Sequence, residues 1–155
     1  MRVVLQRVSR ASVTWAGGHS QIGSGFVILI GIGPEDTEAT AVKMAEKVCR
    51  LRVFADSDGR MNRSLDEVGG AALVVSQFTL YADLSRGRRP GFVGGAPPAL
   101  ADRLYRRFAE ALGALGIGVE TGSFGSEMEV EIINDGPVTL VISSDELTTR
   151  SPGLS

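Results

Sequence analysis

Two short stretches carry residue types and spacings that could build a reactive pocket. The first is Ser76-Gln77-Phe78-Thr79-Leu80, which follows the apolar triplet Leu73-Val74-Val75. On a regular strand the Ser76 and Thr79 side chains would face opposite sides, because strand side chains alternate with a period of two. Both reach one pocket only if the strand bends or ends there, and a polar Ser-Gln pair after three apolar residues suits an ending. The backbone amides of Gln77 and Phe78 would then be able to point into a pocket and stabilise an oxyanion. A plain strand with surface hydroxyls is the alternative, and these residues alone leave it open. The second stretch is Asn134-Asp135-Gly136-Pro137-Val138-Thr139. Proline inside a sheet deletes a ladder hydrogen bond, so it belongs at an edge, a turn or a bulge. A glycine before proline is sterically free, and its peptide can be trans or cis. An ordinary turn is the alternative here.

Other familiar devices fail. Histidine occurs once, as His19, and it falls at a hairpin tip where a third group can hardly hold it beside a nucleophile. It is expected to be solvated, and the ordinary Ser-His-Asp relay is excluded. With one histidine and one cysteine, no pair has metal-ligand spacing, so no metal is expected. Gly31-Ile32-Gly33-Pro34-Glu35-Asp36 follows a strand as a dinucleotide loop would, but it lacks the third glycine and puts two carboxylates where a pyrophosphate would sit. A helix start is the better reading, and no cofactor is expected. Asp56-Ser57-Asp58-Gly59 resembles the opening of a calcium loop, yet the required glycine position holds Met61, so it reads as a turn. Cys49 shares a helical pattern with Val42 and Ala45 and is expected to be a buried thiol.

The elements that must position the two stretches are legible in outline. Residues 3–15 read as a strand, Gly17-Gly18 as a hairpin turn, and Phe26-Val27-Ile28-Leu29-Ile30 as a central strand buried on both faces. A helix is expected over 35–52, with acidic residues at its start and basic ones at its end. Gly69-Gly70 precedes a strand over 71–80, and 83–98 is a long loop rich in Gly, Pro and Arg. Pro97-Pro98 opens a second helix whose apolar stripe is Leu100, Leu104, Phe108, Ala111, Leu112 and Leu115. Strands over 117–121, 128–134 and 138–143 complete a single α+β domain with a curled, barrel-like sheet and two main helices. The domain is expected to span 1–143, with 144–155 as a flexible tail.

The chain has 155 residues, 43% of them hydrophobic and 22% charged, which suits one globular domain. The first residues meet a charge too early for a signal peptide, and no apolar run reaches the roughly 18 residues of a membrane span. A cytoplasmic location is therefore expected, without membrane association. The net charge of −2 argues against wrapping nucleic acid, so any RNA contact must be local.

The two stretches resemble the two signature motifs of the D-aminoacyl-tRNA deacylase family. Arg2 to Val13, Asp58-Gly59-Arg60-Met61-Asn62, Arg86-Gly87-Arg88-Arg89-Pro90 and Leu104-Tyr105 extend the resemblance over nearly the whole chain, up to about Ser143. The resemblance implies an editing hydrolase that cleaves the ester of tRNA carrying a D-amino acid, and of glycyl-tRNA mischarged onto tRNA(Ala). It implies a homodimer with the active site at the interface. Ser76, Gln77, Phe78 and Thr79 would form the catalytic set, with Ser76 structural rather than nucleophilic. A cis Gly136-Pro137 would reach into the partner's pocket and reject L side chains by clash. Arg7, Asn134 and Thr139 would support that loop. The 2′-hydroxyl of the terminal ribose would assist catalysis. Apart from the resemblance, Arg86, Arg88 and Arg89 in the long loop could touch tRNA or simply be solvated. Arg103, Arg106 and Arg107 on the second helix could do the same or form a solvated basic face. A non-catalytic RNA-binding module and a small-molecule esterase are the competing readings, and both leave the two motifs unexplained.

Overall fold

The centre of the molecule is a pair of parallel strands with no polar face. In a computed structural model, which describes residues 1–147, β3 (Gly25–Gly31) lies between β1 (Arg2–Trp15) and β6 (Ala71–Ser76). β3 pairs antiparallel with β1 and parallel with β6. Phe26, Ile28, Ile30, Ala72 and Val74 point to one core, and Val27, Leu73 and Val75 to another. Burial on both faces is why β3 reads as an unbroken apolar run.

Helices α1 (Glu38–Arg50) and α2 (Pro98–Ala114) close the first core with Met44, Val48, Leu104, Phe108 and Leu112. α1 begins three residues later than the sequence suggested. Thr37 and Thr40 form a reciprocal capping box, while Pro34 to Asp36 make a turn in which Asp36 accepts from the Gly33 amide at 2.6 Å. α2 starts at Pro98, as expected. Cys49 is buried in the first core, which pushes its thiol pKa up.

The second core forms because the sheet curls onto itself. Val8, Ala11 and Val13 of β1, with Ile22 of β2 (Gly18–Ile22), cover Val27, Leu73 and Val75. The strand order is β2-β1-β3-β6-β7, with β7 spanning Gly118–Thr121. Its two ends meet where the Ser20 hydroxyl donates to the Thr121 carbonyl at 2.8 Å. The expected barrel-like sheet is therefore nearly closed, and it is mixed. Two short strands, β4 (Phe54–Ala55) and β5 (Met61–Arg63), form a separate hairpin around the Asp58-Gly59 turn. There Asp56 accepts from the amides of Asp58 and Arg60, as a turn aspartate does. His19 is exposed on β2, 2.9 Å from the Thr14 hydroxyl.

The last strand differs from expectation. β8 (Met128–Ser143) is one strand along the whole of β1, not two. It passes through Gly136-Pro137 by a bulge, with register shifts opposite Gln6 to Arg10. Among the described residues β8 pairs with β1 alone, and Pro137 falls in the bulge between the Val8–Asn134 and Gln6–Thr139 pairs, where a missing amide hydrogen breaks no ladder bond. The same irregularity changes which β1 residues face inward, from Val3 and Leu5 in the first core to Val8, Ala11 and Val13 in the second. Of the expected tail, Ser144–Leu147 form a 3-10 turn with Leu147 against the first core, and 148–155 lie outside the described residues.

Candidate active site

The carboxyl ends of parallel strands are where α/β sheets ordinarily open a ligand crevice. β6 ends at Ser76, and the chain turns at once into a 3-10 turn over Phe78–Tyr81. The strand expected over 71–80 is thus shorter, and of the two readings left open for this stretch the ending is the one present. It opens a cavity of about 650 Å³. Ser76, Gln77 and Phe78 form one wall, and Ile32 beyond the end of β3 lies beside them. Phe92, Gly95, Ala96, Pro98 and Ala101 come from the long loop and the first turn of α2. Phe124 to Met128, from the turn between β7 and β8, close the far side together with Val130. Glu127 is the one ionisable residue among these lining residues.

The two amides singled out from sequence have different fates. The Gln77 amide continues the β3–β6 ladder and donates to the Ile30 carbonyl at 2.8 Å. It is not available to an oxyanion, which corrects the sequence reading. The Phe78 amide has no acceptor among the described residues, as befits the first residue of a helical turn. Thr79 does not line the cavity. Its hydroxyl instead makes a short contact with the Gln77 side-chain amide. No histidine, lysine or carboxylate is bonded to the Ser76 hydroxyl among the described residues, and an adjacent base is what usually activates a serine.

The second stretch is organised just as tightly, elsewhere on the sheet. The Gly136-Pro137 peptide is cis. Asn134 staples the bulge: its side-chain amide donates to the carbonyls of Arg7 at 2.9 Å and Val138 at 3.1 Å. Gln6 donates to the Thr139 hydroxyl at 3.1 Å and reaches the Asn134 oxygen at 3.4 Å. The Arg7 side chain is only 14% exposed and lies 3.4 Å from the Asp135 carboxylate. It also donates to the Asp135 carbonyl at 3.3 Å and the Val53 carbonyl at 2.6 Å. Arg7, Asn134 and Thr139 thus all contact the bulge or its flanks. None of residues 134–139 lines the cavity of the same chain.

The arginines separate into two groups. Arg103, Arg106 and Arg107 on α2 face Glu38, Asp102 and Glu110 at 3.9, 2.9 and 3.9 Å. Arg86, Arg88 and Arg89 are exposed and lack such a partner among the described residues. Sequence reasoning missed Gln6, Phe92 and the turn 124–128. Gly122 and Gly125 flanking Phe124 were the available signal for that turn.

The family described as D-Tyr-tRNA(Tyr) deacylase matches residues 4–143. A relative from Symbiobacterium thermophilum named D-aminoacyl-tRNA deacylase is 60% identical over 148 residues, 94% of this chain and 97% of its own. One of that name from Chlorobaculum parvum is 56% identical over 93% of this chain and 98% of its own. Among solved structures, a c-Myc DNA unwinding element binding protein superposes with a TM-score of 0.85 at 39% identity, covering 92% of this chain and 98% of its own. A probable eukaryotic D-amino acid tRNA deacylase shares the fold, with a TM-score of 0.79 at 18% identity over 91% of this chain and 97% of its own. On sequence and fold together, the chain belongs to the D-Tyr-tRNA(Tyr) deacylase family.

Proposed function

We propose that this protein is a D-aminoacyl-tRNA deacylase, a carboxylic ester hydrolase that frees tRNA from a D-amino acid during translation proofreading. The observation that carries the reading is the family match over residues 4–143, joined to a cavity built from the first of the two motifs. An aminoacyl ester is already an activated bond. A cavity that positions it and offers the Phe78 amide to the developing oxyanion supplies transition-state stabilisation without a side-chain base. The terminal ribose 2′-hydroxyl of the tRNA is the remaining group near the ester, and it takes the assisting role. Ser76 and Gln77 shape the wall, and Thr79 braces the Gln77 side chain from outside it.

The second motif acts from another copy of the chain. Residues 134–139 do not line their own cavity, and among the described residues one edge of β8 is unpaired, with Ile133 and Val141 exposed beside the bulge. An open edge with apolar neighbours is a natural surface for self-association. In the resulting homodimer Gly136-Pro137 of one protomer stands in the partner's cavity, where main-chain atoms take the space an L side chain would need. Arg7, Asn134 and Thr139 hold that wall rigid. Such a wall has nothing to clash with in glycine, so glycyl-tRNA is accepted. Arg86, Arg88 and Arg89 carry the local tRNA contact, and the cytoplasm is where this substrate occurs. No helix among the described residues is long and apolar enough to cross a membrane.

The test is deacylation of D-alanyl-, glycyl- and L-alanyl-tRNA by the same protein. The D-alanyl and glycyl esters are cleaved and the L-alanyl ester is spared by more than the ~1–3 kcal/mol that a soft pocket gives for one methyl group. If glycyl-tRNA resists as L-alanyl-tRNA does, exclusion is wrong and the D side chain is being recognised directly. If no ester is cleaved, the chain is a non-catalytic RNA-binding module.

A further inference from the structure

The mouth of the cavity carries a feature that ester chemistry does not use. Asp83 and Gly91 form a two-way backbone bridge, at 2.7 and 2.9 Å, that closes residues 84–90 into a loop. Asp83 turns its carboxylate inward, accepting from the Ser85 amide at 2.9 Å and the Ser85 hydroxyl at 2.6 Å. That leaves Arg86, Arg88 and Arg89 as a positive cluster on a chain whose net charge is −2. Directly after the loop comes Phe92. Its ring meets Phe78 edge to face, with centroids 5.5 Å apart and planes at 69°. Both rings line the cavity, yet Phe78 is 62% exposed and Phe92 52%. The backbone beneath them is fixed: the Ala96 amide donates to the Ile32 carbonyl at 2.9 Å, and Gly94 packs so closely that a Cβ would lie 2.8 Å from the Tyr81 carbonyl.

Exposed large apolar side chains cost solvation, and a fixed aromatic pair beside free arginines is the composition of a single-strand binding platform. Aromatic rings stack on bases while guanidinium groups meet phosphates. Arginine beside aromatic rings also occurs at protein interfaces, but three arginines without an acidic partner in one short loop favour a polyanion. We infer that Phe92, with Arg86, Arg88 and Arg89, forms a docking site for the unpaired 3′ strand of the tRNA, just 5′ of the nucleotide that enters the cavity. Phe92 stacks on one base and the arginines take the adjoining phosphates. This rests on the deacylase reading and adds to it the path by which the strand reaches the cavity. With a net charge of −2, the chain's phosphate contacts are then local to this loop, which suits an enzyme that must release each tRNA after inspection.

The experiment compares two substrates, D-aminoacyl-tRNA and the D-aminoacyl ester of adenosine, which lacks every nucleotide on the 5′ side. The readout is the ratio of kcat/KM for the tRNA to that for the small ester. Phe92→Ala lowers this ratio about tenfold, and Phe92→Trp restores it, because either ring can stack. Replacing Arg86, Arg88 and Arg89 by alanine lowers the log–log salt slope for the tRNA by about 2. If the variants reduce both substrates equally, the loop only supports the cavity and the platform is wrong. If Phe92→Ala changes the mass in solution and not the ratio, the rings belong to a contact between copies, and the proposal is again overturned. If the native protein cleaves neither ester, the deacylase reading has failed. The platform is then judged by anisotropy of a fluorescent single-stranded RNA ending in CCA, whose binding must weaken in both variants.

Discussion

The two motifs meet opposite conditions in the same chain. The strand ending at Ser76 has space: a cavity of about 650 Å³ with one ionisable side chain on its lining. The bulge at Gly136-Pro137 lies outside that cavity, and Gln6, Arg7, Asn134 and Thr139 immobilise it from several sides. One region offers room with few polar tools, and the other a rigid backbone tool set apart from that room. A rigid wall is useful only in a cavity, and a soft apolar cavity discriminates poorly without one. The division makes sense if the selecting element and the reacting element come from two copies.

Substitutions can break this contrast, and the strongest is in the bulge. In Gly136→Ala the new Cβ would lie 2.9 Å from Val138 Cγ2 and 3.0 Å from the Arg7 guanidinium, at a φ of +123° that L residues rarely adopt. Such a backbone position costs roughly 1–3 kcal/mol for a residue with a side chain. With the wall displaced, kcat/KM for D-aminoacyl-tRNA is expected to fall about 100-fold while the far-ultraviolet circular dichroism stays unchanged. Native-like turnover would show that the bulge does not face the substrate.

Asn134→Ala removes the donor shared by the Arg7 and Val138 carbonyls. Leaving partly buried carbonyls unmatched is expected to cost about 2 kcal/mol, a fall in Tm of roughly 4–8 °C for a chain of this size. An unchanged melting curve would mean that the bulge is held by its backbone alone. Ser76→Ala tests the other side of the contrast. With no base on its hydroxyl, kcat is expected to stay within about tenfold of the native value. A loss on the order of 10³-fold or more, in a folded variant, would restore Ser76 as a nucleophile.

The smallest effect concerns Tyr81, at the end of the turn that follows the first motif. Burial, and then the negative charge of Asp36, push its hydroxyl from 10.0 up to about 12, against the opposing pull of Arg2. Arg2 stacks 4.4 Å from the centre of its ring. The folded value lies above the unfolded one, so the unfolded chain loses its proton first. Stability from this group is whole below pH 10 and declines as pH rises towards 12. Denaturant midpoints measured across that window are expected to fall less steeply in Tyr81→Phe. Equal slopes would mean that the hydroxyl is free in solution.

Much of the outline was legible because it depends on local periodicity. The buried run 26–30, the stripe of α2 and the glycine turns each carry their own signal over a few residues. Most misses came from a distant partner; the late start of α1, set by the local Thr37–Thr40 cap, is the exception. Pro137 read as a break between two strands, whereas β8 runs through it because the bulge opposite β1 leaves Pro137 out of the ladder. Gln77 read as an oxyanion donor, but its amide was taken by Ile30, a neighbour only after parallel pairing. The far wall at Phe124 to Met128 is brought over the end of β6 by the β6–β7 pairing, which no nearby residues announce. Arg7 was named through the resemblance, while the Val53 carbonyl that anchors it had no sequence signal.

The bond from Gln77 to Ile30 has a consequence for how the site exchanges hydrogen with its surroundings. Adjacent peptide groups here belong to different regimes. The Gln77 amide is the last rung of a ladder between the two most enclosed strands and should surrender its hydrogen to deuterated solvent only when that sheet opens as a whole. The Phe78 amide, one residue on, is the first without a partner and should exchange as fast as the open cavity admits solvent. The border between scaffold and reactive surface is thus a single peptide link wide, and the two amides on either side of it would label on timescales set by unrelated events.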